Sequence, residues 1–159
     1  LDQFKLKLPV FGKLLKVIYT ARFARTMSSL YSAGLPIVSA LTIGSRTVGN
    51  LYIEEQFENV IARVRSGENL SQSLASVDGF MKKLSSAIMI GEETGSLDKM
   101  LDSIADTLEY ESEMAISKMV TMMEPALIIL MALIVGFVMM AVLIPVFNSY
   151  GAIENTAYI

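Results

Sequence analysis

This 159-residue sequence predicts an all-α fold. The expected architecture is an antiparallel bundle of about six helices whose last helix is long and continues into a single transmembrane span. Three observations carry that expectation. Apolar residues recur at spacings of three and four through most of the chain. Gly, Pro and Asn interrupt the pattern at short intervals, and no stretch alternates apolar and polar residues as a half-buried strand would. Residues 125–144 read PALIILMALIVGFVMMAVLI, twenty residues without a charge, amide or hydroxyl. At about 1.5 Å per residue such a run reaches about 30 Å, the thickness of a bilayer's hydrocarbon core. Twelve of the twenty are Leu, Ile, Val or Phe. Their insertion gain, roughly 0.3–0.6 kcal/mol each, outweighs one Gly and a terminal Pro.

The elements follow in order. Residues 1–11 form a lead-in segment, punctuated by Pro9 and Gly12. From Lys13 a first helix carries Leu15, Tyr19, Phe23, Met27 and Leu30 on one face, and Gly34 ahead of Leu35-Pro36 stops it. A second helix covers 37–48 and ends at Gly49. Asn50 caps a third, in which Ile53, Phe57, Val60, Ile61 and Val64 share a face. Its glutamates (Glu54, Glu55, Glu58) lie near the start and its arginines (Arg63, Arg65) near the end, both favourable to the helix dipole. Gly67 ends it. A short helix at 70–75 and an Asp78-Gly79 turn follow. A fifth helix sets Met81, Leu84 and Ile88 on one face and is expected to stop at the Gly91–Gly95 bracket. Ser96 caps the last helix, whose apolar stripe is Leu97, Leu101, Ile104 and Leu108. No breaker intervenes before Pro125, so this helix runs into the span, bent or re-phased at Glu124-Pro125. Pro145 marks the exit into a short, weakly ordered tail. The domain reading is therefore a helical domain over 12–124, a transmembrane helix over 125–144 and a tail over 145–159.

Net charge is −3, too small to call for nucleic acid or an anionic surface as partner. All 13 Lys and Arg precede the span, and the tail carries only Glu154. That excess of basic residues puts residues 1–124 in the cytoplasm and the tail outside. Absence of cysteine fits a reducing compartment. No signal peptide is read near the start, where Lys5, Lys7 and Lys13 interrupt the apolar residues. Beginning at Leu1 rather than Met, the chain is expected to be part of a longer protein.

The catalytic inventory is thin. With neither His nor Cys, the commonest general base, thiol nucleophiles and nitrogen- or sulfur-ligated zinc are excluded. Gly44-Ser-Arg-Thr-Val-Gly49 lacks the Lys and Ser/Thr of a phosphate-binding loop, and there is no Gly-x-Ser-x-Gly elbow. No enzyme activity, cofactor or metal is expected. The acidic residues Asp98, Asp102, Asp106, Glu109 and Glu113, spaced 4, 4, 3 and 4, share one arc of the last helix. They read as a solvated face, or as a docking stripe for a basic partner or a weak site for a hard cation. Arg22 and Arg25 border the first helix's apolar face and are expected to clamp Glu92 or Glu93 between helices. Inside the span, Ala132-x-x-x-Gly136 is a small-residue pair that would admit another membrane helix. Met122, Met123, Met131, Met139 and Met140 read as packing filler.

Several segments carry a resemblance when taken together and in order. They are Leu8-Pro9-Val10-Phe11-Gly12-Lys13; Ala21-Arg22-Phe23-Ala24-Arg25-Thr26; Ser32-Ala33-Gly34-Leu35-Pro36 with Ala40-Leu41; Gly67-Glu68-Asn69-Leu70; Gly91-Glu92-Glu93-Thr94-Gly95-Ser96-Leu97; and Glu124-Pro125 with Ile144-Pro145. The chain resembles the type II secretion system protein F family, which includes the inner-membrane platform protein of type IV pilus assembly. The resemblance implies a second cytoplasmic helical domain plus the last of three spans. It implies a non-enzymatic scaffold in the bacterial inner membrane, engaging an assembly ATPase, prepilin or pseudopilin, other inner-membrane assembly proteins and lipid, as a homo-oligomer. It points to Arg22, Phe23, Gly91, Glu92 and Gly95 as partner contacts or fold determinants. The alternative is a membrane-anchored helical adaptor or sensor with no filament role.

Overall fold

The computed structural model describes residues 11–156, so most of the lead-in segment and the last three residues lie outside the described residues. Six helices follow one another: α1 (Phe11–Ser32), α2 (Ile37–Thr47), α3 (Leu51–Arg65), α4 (Leu70–Ala75), α5 (Lys82–Thr94) and α6 (Leu97–Thr156). No strand occurs among the described residues. Connections are short, as the sequence predicts, and the first helix starts at Phe11, slightly ahead of the expected Lys13.

Helix ends follow local chemistry. Gly34, Gly49, Gly67 and Gly95 all have positive φ (+84°, +75°, +94°, +66°), the conformation a left-handed C-terminal cap needs and a side chain resists. After α1, Gly34 N donates to Tyr31 O at 2.9 Å and Leu35 N to Leu30 O at 3.1 Å, which satisfies two carbonyls the helix would otherwise orphan. Asn50 caps α3, its side-chain oxygen accepting from Ile53 N at 3.1 Å.

Three expectations need correcting. Met81 is not inside α5; it is the extended residue before Lys82, and its N–H donates to the buried Thr20 Oγ1 at 2.9 Å. Gly91 does not stop α5, which runs on to Thr94 and closes only at Gly95. Nor does Pro145 end α6, which continues to Thr156. Proline's fixed φ is itself helical, and Val146 and Phe147 offer no side chain to cap an end.

The chain divides after Ile116 into two compact units. The core of the first is built on three rings: Phe23 of α1 lies 5.1 Å from Phe57 of α3 and 5.0 Å from Phe80, with Phe57 and Phe80 5.8 Å apart. Such tilted arrays suit the ring quadrupoles. Around them Met27, Leu41, Ile53, Leu84, Ile88, Leu101 and Leu108 are wholly buried, and the predicted stripe of α6 faces this core. Gly44 lets α2 come close to α1, since a Cβ there would sit 3.1 Å from Phe23 Cε2. The second unit, from Ser117 onward, contains only helix among its described residues. Every side chain from Val120 to Phe147 is exposed, and this helix is long and apolar enough to cross a membrane.

Candidate functional site

Two of the sequence motifs prove to be one joint. The six-residue helix α4 has no side-chain cap of its own, for Asn69 makes no capping bond. Glu92, reaching across from α5, takes that place. Its Oε1 accepts from Leu70 N at 2.6 Å, while Oε2 accepts from Ser71 N at 3.2 Å and Ser71 Oγ at 2.5 Å. A carboxylate suits this position because the first N–H groups of a helix are unpaired and carry its positive dipole end. On the other side, Arg63 Nε donates to Glu68 Oε2 at 2.6 Å, its second nitrogen pairs with the other oxygen of Glu68, and its third reaches Ser76 Oγ at 2.9 Å. The Glu68 bonds hold the Arg63 guanidinium pKa above its ordinary value. Thus Gly67-Glu68-Asn69-Leu70 and Gly91-Glu92 form a pinned turn joining α3, α4 and α5. Gly91 serves close approach: a Cβ there would lie 2.9 Å from Leu97 Cα and 3.1 Å from Met100 Cβ, so only Gly lets α5 and α6 meet. Glu92→Gln is expected to cost about 1–2 kcal/mol through loss of one capping acceptor and the charge. A thermal melt checks it, and an unchanged melting temperature with lost function would make Glu92 a partner contact instead.

Arg25 does not pair with Glu92 or Glu93, as the sequence suggests; it reaches the acidic stripe. Its Nε donates to Glu109 Oε1 at 2.9 Å and Nη2 to Glu109 Oε2 at 2.7 Å, a two-pronged grip. The same Nη2 pairs with Asp106 Oδ1, and Nη1 donates to Asp102 Oδ1 at 3.2 Å. Ser28 Oγ adds a bond to Asp102 Oδ1 at 3.3 Å. One guanidinium therefore clasps α1 to α6 through carboxylates at spacings of four and three, which a helix stacks on one face. The hydrogen bonds that Arg25 donates to Glu109 and Asp106 raise its pKa, and the Arg25 bond holds the Glu109 carboxyl below its usual range. A carboxyl whose pKa is depressed on folding contributes stability above its unfolded value, lost as pH falls through the folded one. The wild-type chain should therefore lose stability as pH drops below about 4.3, whereas Arg25→Gln, which relieves like-charge crowding by protonation, should lose less. With the Glu109 side chain 45% exposed the difference is expected near about 0.5–1 kcal/mol, read from melts between pH 3 and 7.

Comparison with known proteins places this architecture. A sequence model of the type II secretion system protein F family matches residues 23–145. The chain is 39% identical over 155 residues to the type IV pilus assembly protein PilC of Thermus thermophilus, covering 97% of this chain and 38% of that protein. Against the Myxococcus xanthus protein of the same name it is 35% identical, covering 96% of this chain and 37% of the relative. Against type II secretion system protein F of Pseudomonas aeruginosa it is 33% identical, covering 91% and 36%. The chain belongs to the type II secretion system protein F family. It spans somewhat under two fifths of the length of these curated relatives, whose names describe assembly and secretion components.

The remaining predicted residues fall in separate places. Phe23 is fully buried and acts in the core. Gly95 supplies the left-handed cap of α5, and both its N–H and that of Ser96 donate to Gly91 O. Arg22 is exposed beside Gly49, 3.3 Å from where a Cβ would stand, with no ion pair among the described residues. Asp98 is exposed at the first turn of α6, and Asp102 and Asp106 keep most of their side-chain surface in solvent despite the clasp. Among the described residues no three acidic side chains are placed to hold a metal ion, so the cation reading of the stripe finds no geometry. Ala132 and Gly136 lie on exposed helix, with nothing within 4 Å of a Cβ added at Gly136. Sequence reasoning missed Arg63, Glu68 and Glu109 as structural anchors. For Arg63 and Glu68 the signal was available, an Arg and a Glu either side of a capping Gly.

Proposed function

We propose that this chain is part of a non-enzymatic inner-membrane platform in a type IV pilus or type II secretion machine. It couples a cytoplasmic assembly ATPase to insertion of prepilin or pseudopilin into the filament. The single observation that carries the reading is protein F family membership over residues 23–145, a stretch that includes most of the helical unit and the apolar part of α6. The physical side agrees with it. A segment without His or Cys has little chemistry to offer, so energy comes from a partner. The charge asymmetry supports a cytoplasmic domain over 12–124, a span over 125–144 surrounded by lipid, and an outer tail. The outward oxygens of Asp98, Asp102 and Asp106 are the acidic stripe offered to a basic face of the ATPase. Tagged full-length protein from membranes should co-purify with the assembly ATPase, and deletion should abolish filaments or secretion. Unchanged filaments and secretion after deletion would overturn the platform role; failure to co-purify with the ATPase, with filaments lost on deletion, would overturn only the ATPase contact.

A further inference from the structure

Helices α2 and α3 line a solvent-open groove of about 310 Å³ on the first unit, which shares no residue with the clasp or the pinned turn. Leu51, at the start of α3, stands 66% exposed in it, and Ile61, partly buried against the core, also lines it. Between them on the same helical face lie Glu54, Glu55 and Glu58. Several carboxylates of this unit find cations: Asp102, Asp106 and Glu109 meet Arg25, Glu68 meets Arg63, Glu111 meets Lys83 and Asp78 meets Lys16, while Glu93, Asp98 and Glu113 make no ion pair among the described residues and do not line this groove with its exposed apolar side chain. The three groove glutamates make no ion pair among the described residues, although Arg46 lines the same groove. Helix-dipole stabilisation accounts for Glu54 in the first turn but fades beyond it, so it leaves Glu58 unexplained. Glu54 and Glu58 also repel each other at i, i+4. A metal does not fit, because no three carboxylates are placed to hold one. An enclosed small-molecule site does not fit either, since such pockets bury most of their ligand and this groove is open. Nucleic acid would be repelled.

We propose that the α2–α3 groove receives a basic amphipathic helix of a partner protein, its apolar side chains seated on Leu51 and Ile61 and its Lys or Arg residues paired with Glu54, Glu55 and Glu58. This is the helix-in-groove mode, in which an apolar anchor gives affinity and rim charges give selectivity. The assignment rests on the groove alone and stands independently of any filament role. The probe is a synthetic helical peptide of about four turns with Leu and Lys on opposite edges of one face. It is titrated against the full chain in zwitterionic nanodiscs by fluorescence anisotropy. Saturable binding is expected, weakening as salt shortens the screening length. Combined Glu54→Lys, Glu55→Lys and Glu58→Lys should weaken binding about tenfold or more and restore it for a peptide with Glu in place of Lys. Leu51→Ala should weaken both pairings, and Glu93→Lys, an exposed charge reversal on α5, should change neither. Because Leu51, Glu55 and Glu58 are exposed, their substitution should leave the melting temperature nearly unchanged, and only reversal of Glu54 in the first turn of α3 should lower it slightly. Absence of saturable binding, equal affinity for the reversed variant, or equal sensitivity to Glu93→Lys would each overturn the assignment.

Discussion

Phe23→Ala is expected to destabilise the first unit by about 3–5 kcal/mol, the range for removing a large aromatic side chain from a packed interior. The site gives little room for relief. Phe23 has no exposed surface, and its ring lies against Phe57 and Phe80, which come from separate parts of the chain. On the α2 side the ring meets the backbone at Gly44, where even a methyl group would sit 3.1 Å away. A cavity there cannot close without moving α2 relative to α1, so both the transfer loss and the cavity cost persist. Against a total stability of about 5–15 kcal/mol for an ordinary domain, the loss is a large fraction. Phe23→Leu keeps most of the volume and should cost about half as much or less. The chain has no Trp but six Tyr, so urea titration in detergent can be followed by tyrosine fluorescence. An unchanged midpoint with lost partner binding would make Phe23 a partner contact instead.

What the sequence made legible is what depends on near neighbours. Gly34, Gly49, Gly67 and Gly95 end helices because a left-handed residue is required within one turn of the end, and Asn50 caps α3 through a bond three residues long. The apolar stripe of α6 was readable for the same reason: its period is local even though its partners are not. The partners of charged residues were not readable. Arg25 meets carboxylates 77 to 84 positions away, and Glu92 caps a helix 21 to 22 positions earlier. Both choices are set by how α1, α4, α5 and α6 pack, and any of several carboxylates satisfies a guanidinium equally well in one dimension. Gly91 shows a second limit. Glycine serves a helix end and a close helix approach alike, and only the position of Leu97 Cα tells which is at work.

These two limits have a common consequence for the Gly-Glu-x-x-Gly segment. Glu92 fixes α5 to the start of α4, Gly91 admits α6, and Gly95 turns the chain into it. Three residues within five positions thus set the start of the helix that goes on to carry the apolar run. The segment's residue types are accounted for by geometry inside the fold, which leaves Glu93, exposed on α5, as the position in it without a structural duty. Partner contact is therefore better sought outside this segment, on the acidic stripe and in the α2–α3 groove.

The largest effect is expected from two arginines placed near the middle of the apolar run, Leu133→Arg with Phe137→Arg. Twelve strongly apolar residues at roughly −0.3 to −0.6 kcal/mol give an insertion gain of about 4–7 kcal/mol for residues 125–144. Each substitution removes one such residue and adds roughly 2.5–3.5 kcal/mol at the helix centre, a change of about 3–4 kcal/mol. One arginine should therefore weaken insertion without reversing it, while two, at about 6–8 kcal/mol, match or exceed the whole gain. The side chains are exposed along this helix, so no neighbour within the chain compensates the charge. Alkaline extraction of membranes should recover wild type and either single variant mainly in the pellet and the double variant mainly in the supernatant or degraded. Lys or Arg close to either end would be milder, because a long basic side chain reaches the interface from there. If the double variant pelleted like wild type, residues 125–144 would be held by protein packing rather than by lipid, and α6 would be a helix awaiting protein partners along its apolar length.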